Sequence, residues 1–103
     1  MFTNINNAKG LSNQRIQAIL KDHQGFMWFG TINGLNRYDG YNFKVFLHNP
    51  DDTTSISNNA VNYLFEDNDG KIWVQAAFNH DIPGIDMNIY NPETETFEHD
   101  HKL

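Results

Sequence analysis

An all-β fold built from two repeated units is predicted by three observations. Eight positions recur in one register 45 residues later, beginning with Leu11 and Ile56 and ending with Trp28 and Trp73. Each repeat contains short runs of β-forming residues separated by Gly and Asp turns, and no helix-period pattern is present. Four short antiparallel strands in about 40–45 residues describe one propeller blade. We therefore predict β-propeller blades, as two four-stranded antiparallel meanders, over the alternative of a two-sheet sandwich with a chance repeat.

The first repeat supplies the four strands in order. Residues 15–21 begin with polar/apolar alternation, and a turn follows at residues 22–25. Residues 26–31 form a nearly continuous apolar run, which is typical of a strand covered on both faces. Asn33-Gly34 is a strong hairpin signal. Residues 35–38 and 42–46 then alternate on either side of a turn at Asp39-Gly40.

The second repeat follows the same plan with one insertion. Strands are predicted at residues 60–65 and 71–76, with a turn at residues 68–70 between them. Residues 77–84 form a longer connection than the matching Thr31–Gly34 hairpin. Residues 89–92 then correspond to residues 37–40, and residues 96–98 form the outer strand.

These assignments give a division of the chain into five parts. Residues 1–10 are an N-terminal segment that is expected to supply an outer strand to a neighbouring blade. Residues 11–48 are blade 1, residues 49–55 are the inter-blade loop, residues 56–99 are blade 2, and residues 100–103 are a tail. Because about three or more repeats usually make a complete core, the chain is expected to be a fragment of a larger propeller.

Composition narrows the class of protein. With 103 residues, 39% hydrophobic and 14% aromatic, the chain is a small globular domain rather than a disordered one. It has no cysteine, which excludes disulfides and thiolate metal sites. The net charge is −6, the seven basic residues are scattered singly, and no apolar stretch is long enough for a transmembrane helix. We predict no direct nucleic-acid or membrane contact.

The repeats resemble a known family. The stretches GLSNQRIQAILKDHQGFMWFGTINGLNRYDGYNF and SISNNAVNYLFEDNDGKIWVQ are similar to the two-component-regulator propeller repeat. The second copy departs from the pattern at Gln75-Ala76, where Gly-Thr is expected, and in the insertion up to Pro83.

The resemblance implies a role in sensing. Such repeats form the periplasmic sensor part of inner-membrane hybrid two-component histidine kinases of Bacteroidetes, which detect glycan breakdown products and control transcription of glycan-use genes. It implies that this fragment is non-catalytic and that its parent is a sensor histidine kinase. The alternative is a structural or protein-interaction propeller module with no small-molecule ligand in this fragment; a propeller enzyme is the weakest reading.

Residues that recur in the motif are interpreted as structural. Trp28 and Trp73 are alternatively sugar-stacking platforms, but each lies in an apolar run, which favours packing between blades. The Asp and Gly positions are interpreted as turn residues, because Asp accepts local backbone hydrogen bonds and Gly adopts positive φ. The structural set is Asp22, Gly25, Trp28, Gly34, Asp67, Gly70, Trp73 and Gly84.

Candidate ligand residues lie in the loops at the channel mouth, where amides and an aromatic suit an oligosaccharide. They are Asn13, Asn33, Asn58, Asn59, Phe78, His80 and Asp81. His80-Asp81 and His99-Asp100-His101 also contain metal-ligand types. Because these groups lie in the insertion and near the tail, rather than converging, no metal or cofactor is predicted.

Two blades alone leave two sheet faces uncovered. Such faces favour association, and rotational closure satisfies both of them. The partners expected are therefore the missing blades of the parent sensor, or copies of the fragment in a cyclic homo-oligomer. A tetramer with eight blades is favoured over a trimer with six.

Overall fold

The computed structural model describes residues 10–77 and 86–100. They form eight strands and no helix, in two separate four-stranded sheets. The predicted all-β fold is confirmed. The described residues accordingly include no helix with the length and apolar character needed to cross a membrane.

Blade 1 is an antiparallel meander in chain order. Its strands are β1 (Ile16–Lys21), β2 (Met27–Thr31), β3 (Gly34–Tyr38) and β4 (Phe43–Phe46). The β2–β3 connection is the tight Asn33-Gly34 hairpin expected from the sequence, and Gly34 has a φ of 121°. A bulge interrupts the pairing of β1 with β2 between Ile16 and Ala18.

Blade 2 repeats this topology. Its strands are β5 (Val61–Glu66), β6 (Ile72–Ala76), β7 (Met87–Asn91) and β8 (Thr96–Asp100). The pairing of β5 with β6 has the same irregularity, between Val61 and Tyr63, 45 residues after that of blade 1. β8 continues through Asp100, the first residue of the predicted tail.

The two sheets pack face to face around one apolar core. Gly30 of β2 allows the close approach, because a Cβ built there would lie 2.5 Å from Val61 Cγ1 of β5. Trp28 packs edge-on against Tyr90 of β7, with ring centroids 4.9 Å apart. Members of the core from both blades include Trp28, Leu35, Phe46, Val61, Leu64, Ile72, Val74, Tyr90 and Phe97.

Polar contacts complete the join between the blades. The Gln17 amide donates to the Val61 carbonyl and to Asn62 Oδ1, each at 3.1 Å, so the first strands of the blades are tied side by side. The inter-blade loop is held by Ser55, whose Oγ accepts from Asn49 N at 2.9 Å. Thr54 of this loop accepts a backbone hydrogen bond from Phe97 of β8.

Candidate functional site

The first turn of each blade is organised by one aspartate. Asp22 Oδ1 accepts from the backbone N–H groups of Gln24 and Phe26, at 2.9 and 3.0 Å, and Oδ2 accepts from Trp28 Nε1 at 2.8 Å. A single carboxylate therefore closes the turn and orients the indole. The position of the Trp28 ring is therefore fixed by a residue of its own blade.

Blade 2 reproduces the same arrangement. Asp67 accepts from the N–H groups of Asp69 and Lys71, both at 2.9 Å, and from Trp73 Nε1 at 2.8 Å. The Trp73 hydrogen bond is the main cause that lowers the pKa of the Asp67 carboxyl. Gly25 and Gly70 have φ values of 92° and 81° at matching turn positions, which are unfavourable for other residues.

A buried asparagine that binds a serine also recurs in both blades, and the sequence did not reveal it. Asn36 is fully buried; its Oδ1 accepts from Ser12 N at 3.0 Å and its Nδ2 donates to Ser12 Oγ at 2.8 Å. Asn88 holds Ser57 in the same way, at 3.1 and 2.9 Å. The signal was an Asn two residues before a Tyr in both repeats. The pair has the same 52-residue spacing as residues 37–40 and 89–92, but nothing near either Asn in the sequence shows that Ser12 or Ser57 is its partner.

The predicted ligand asparagines lie at the end of the blades that carries the β2–β3 hairpin. Asn13 Oδ1 and Asn58 Oδ1 accept from the N–H groups two residues on, at 2.8 and 3.0 Å, as turn-forming asparagines do. Asn59 Oδ1 accepts from His48 N at 2.7 Å, and its carbonyl accepts from Gly34 N at 2.6 Å. Asn33 is exposed on the hairpin.

The remaining predicted residues lie outside the described part of the chain. These are Phe78, His80 and Asp81 among the ligand candidates, and Gly84 among the structural positions. Within residues 10–77 and 86–100, no group of three or more His, Asp or Glu side chains is arranged to hold a metal ion.

A groove of about 470 Å³ opens between the blades at the opposite end, where the β1–β2, β5–β6 and β7–β8 turns meet. Its inner wall includes the edges of Trp28 and Tyr90 and the half-buried ring of Phe26. The volume lies within the range of small-molecule sites, a few hundred Å³ or more. The sequence could not locate this groove, because it is formed by turns from different blades.

One wall of the groove is fastened across the blades by Arg37. Its guanidinium donates to the Tyr90 hydroxyl at 2.7 Å and to the Glu95 carboxylate at 3.0 Å, and it lies 5.0 Å from the centroid of the Phe26 ring. Lys44 donates to the other oxygen of Glu95 at 3.0 Å. These two cations lower the pKa of the Glu95 carboxyl, with Lys44 the larger cause. Burial, in turn, raises the pKa of the Tyr90 hydroxyl.

A second link between the blades joins His23, on the groove, to Glu66. The His23 ring is hydrogen-bonded through Nδ1 to the Glu66 carboxylate, which also accepts from His23 N at 3.2 Å. The hydrogen bond to Glu66 raises the pKa of the imidazole, and the same bond lowers the pKa of the Glu66 carboxyl. His23 also packs on the second blade's turn, since a Cβ at Gly70 would lie 3.1 Å from its ring.

The rim of the groove keeps three polar side chains available. Gln24 comes from the first turn of blade 1, and Asp69 and Lys71 come from the first turn of blade 2. All three residues are exposed. None of these side chains makes a hydrogen bond or a salt bridge with another residue of the described ranges. The rim therefore offers an amide, a carboxylate and an ammonium group to a ligand.

A family model gives the identity of the repeats. The model described as two component regulator propeller matches residues 10–33 and 55–76. The two matched segments are similar to the two-component-regulator propeller repeat. These repeats contain both Asp–Trp turns, and they end at β2 and β6, before the parts in which the blades differ most.

Solved structures resemble these propeller repeats over most of the chain. The extracellular domain of the hybrid two-component system BT3049 of B. thetaiotaomicron matches 88% of the chain with a TM-score of 0.72 and 33% identity. The extracellular domain of the hybrid two-component system BT4673 of the same organism matches 82% with a TM-score of 0.64; at 24% identity, that match supports the fold alone. The described blades thus share their fold with part of the extracellular domains of hybrid two-component systems.

A curated relative carries a kinase name. Histidine kinase P4 of Formosa agariphila is 42% identical over 57 residues, which is 55% of this chain. The chain spans 4% of that relative's length and 11–12% of the two structures' chains. The two blades therefore correspond to a small part of each relative.

Proposed function

We propose that the two blades belong to a periplasmic, non-catalytic sensor whose parent histidine kinase detects glycan breakdown products and controls transcription of glycan-use genes. The main support for this proposal is the 33% identity, over 88% of the chain, with the extracellular domain of a hybrid two-component system. The match with a protein named histidine kinase supports the kinase parent.

The engagement of the titratable groups near the groove supports binding rather than catalysis. Asp22 is committed to its turn and to Trp28, and Glu95 is shared by Arg37 and Lys44. His23 is paired with Glu66. A general acid or base needs a reactive proton within hydrogen-bond reach of its substrate, whereas these groups are already engaged, Asp22 within blade 1 and the others between the blades.

The proposal is tested on a longer extracellular protein that contains these blades. Isothermal titration calorimetry against a panel of oligosaccharides released from complex glycans is expected to show saturable binding of one glycan class. The same glycan is expected to switch on a transcriptional reporter in cells that carry the full sensor. A protein that is folded, and binds none of the panel while the reporter stays silent, would contradict the proposal.

A second candidate function, a protein-interaction module, is favoured by the outer face of blade 2. Tyr63 is 54% exposed there, beside a parallel stack of Phe65 on Trp73 with centroids 5.7 Å apart. Exposed apolar patches of this kind mark association surfaces. Light scattering over a concentration series separates the outcomes: a trimer or tetramer supports cyclic closure between copies, and a monomer at all concentrations contradicts it.

A further inference from the structure

We infer that the groove between the blades is a binding site for a neutral pyranose residue of a saccharide. The inference rests on the proposed function for the glycan class and adds the location and the charge of the ligand. It places the site at the turn end of the blades, opposite the asparagines that the sequence singled out.

The shape of the groove suits one or two sugar rings. Its volume of about 470 Å³ is bounded on one side by the Asp22–Phe26 turn and on the other by the Asp69–Lys71 turn and Pro92. Both blades therefore contribute walls. A ligand bound there contacts both repeats at once and so bridges the two blades.

The rim chemistry matches hydroxyl groups. A sugar hydroxyl both donates and accepts, so it is best met by a donor and an acceptor placed side by side. Lys71 supplies a donor, Asp69 an acceptor and Gln24 both, and none of these side chains is hydrogen-bonded within residues 10–77 and 86–100. Hydrogen bonds to such charged groups are among the stronger ones in proteins.

The charge balance selects a neutral ligand. Arg37 and Lys44 share Glu95, the Asp22 carboxylate at the groove balances the one positive charge that remains, and His23 is paired with Glu66. The unpaired charges on the rim are Lys71 and Asp69, one of each sign. An acidic sugar would gain Lys71 but meet Asp69, so the groove gives it no advantage over a neutral one.

The inner wall supplies the apolar contact that a pyranose ring needs. Phe26 is half-buried, and the guanidinium of Arg37 near its ring restricts its orientation. Trp28 and Tyr90 pack edge-on against each other and form part of the same wall. Pockets of this composition, with an apolar wall and few oriented polar groups, are typical of small-molecule sites.

The two tryptophans provide a built-in test. Trp28 lines the groove, whereas Trp73 lies on the other face of blade 2, and each indole N–H makes the same 2.8 Å bond to an aspartate. The ¹⁵N-labelled chain is titrated with maltose, cellobiose and laminaribiose, and with galacturonate as the acidic comparison. We expect at least one neutral disaccharide to shift the Trp28 indole cross-peak while the Trp73 cross-peak stays in place.

Substitutions of the rim residues test whether the sugar binds in the groove. Lys71→Ala and Asp69→Ala are each expected to weaken binding roughly tenfold, because each removes a hydrogen bond to a charged group. Lys21→Ala and Asp51→Ala remove exposed groups of the same charges outside the groove and serve as matched controls. An unchanged Trp28 indole cross-peak in each variant before sugar is added shows that the fold is intact, because Asp69 and Lys71 belong to the turn that binds Trp73.

The outcomes of these titrations test the groove assignment and the proposed glycan-sensing function separately. Shifts confined to the amides of Asn13, Asn33 and Asn58 would overturn the groove assignment and leave the glycan-sensing proposal standing. Tighter binding of galacturonate than of every neutral sugar would overturn the ligand class. No binding by this chain would overturn the groove as a self-contained site, and no binding by the longer extracellular protein would overturn the proposed function as well.

Discussion

Trp28 and Trp73 occupy the same position in the two blades and have different surroundings. Each donates its indole N–H to the turn aspartate at 2.8 Å. Trp28 is only 1% exposed, because Tyr90 of blade 2 and Phe46 pack against it. Trp73 is half-buried and stacks on Phe65 of its own blade. The repeat thus determines the local geometry of the tryptophan, and the neighbouring blade determines its burial.

The faces that carry these tryptophans also differ in size and charge. Ala18 and Gly30 in blade 1 are replaced by Tyr63 and Gln75 at the matching positions of blade 2. Small residues in blade 1 give Val61 room to approach β2. Arg37, which clamps Tyr90 and Glu95, corresponds to Ile89 in blade 2. The Trp73 face of blade 2 therefore differs in its side chains from the Trp28 face of blade 1. A neighbour cannot pack on the Trp73 face with the contacts that blade 2 makes to blade 1.

The largest expected effect comes from truncating the two tryptophans. Trp28→Ala is expected to lower the free energy of unfolding by about 3–5 kcal/mol, since it empties the centre of the core between the blades. Trp73→Ala is expected to cost about half as much or less, because its ring is already partly in contact with water. Urea unfolding followed by circular dichroism measures both.

Two further variants control this comparison. Tyr41→Ala removes an aromatic ring that is 89% exposed and is expected to leave the urea midpoint unchanged. Trp28→Phe keeps most of the packing, so it remains measurable if Trp28→Ala does not fold. Equal destabilisation by Trp28→Ala and Trp73→Ala would show that the second face is as well covered in solution as the first.

An intermediate effect is expected from Gly30→Ala. The added Cβ would lie 2.5 Å from Val61 Cγ1 and 3.2 Å from the Val61 carbonyl oxygen, so the blades must move apart. Overpacking of this kind costs about 1–3 kcal/mol. Adding Val61→Ala removes the nearest methyl group, and the double variant is expected to lose less stability than the two single changes added together. Simple additivity in urea unfolding would contradict this contact.

The smallest expected effect is a dependence of stability on pH from the His23–Glu66 link. The His23 pKa is raised from its ordinary 6.5, so its contribution is present below pH 6.5 and is lost as the pH rises through the folded value. The Glu66 pKa is lowered from 4.5, so its contribution is present above pH 4.5 and is lost as the pH falls through the folded value. The link therefore stabilises most between those two values.

The alkaline side of this profile is the informative one. Several other carboxyls also have lowered pKa values, including those of Asp39, Asp52 and Asp67, so the acid side is shared. His23→Gln is expected to flatten part of the decline of stability above pH 6.5, by a small amount because the side chain is exposed. An NMR titration that puts the His23 pKa at or below 6.5 would contradict the link.

The strands and their order could be predicted from the sequence because their signals are local. Alternation, the Asn33-Gly34 hairpin and the turns at Asp22 and Asp67 each depend on residues within a few positions of one another. The 45-residue recurrence then indicated that both blades share one plan, and the structure adds a matching irregularity in the β1–β2 and β5–β6 pairings. The roles of Asn36 and Asn88 were missed, because their partners Ser12 and Ser57 lie 24 and 31 residues away in the chain.

By itself, the sequence determined the two four-stranded meanders and their turn residues, since hydrogen bonds within a repeat need no second blade. Only the tertiary structure decided which tryptophan is buried and where the groove lies. It also decided that Arg37 reaches Tyr90 and that His23 reaches Glu66, over separations of 53 and 43 residues. The physical reason is that these contacts depend on the angle and distance between two packed sheets, and no pattern within either repeat encodes those quantities.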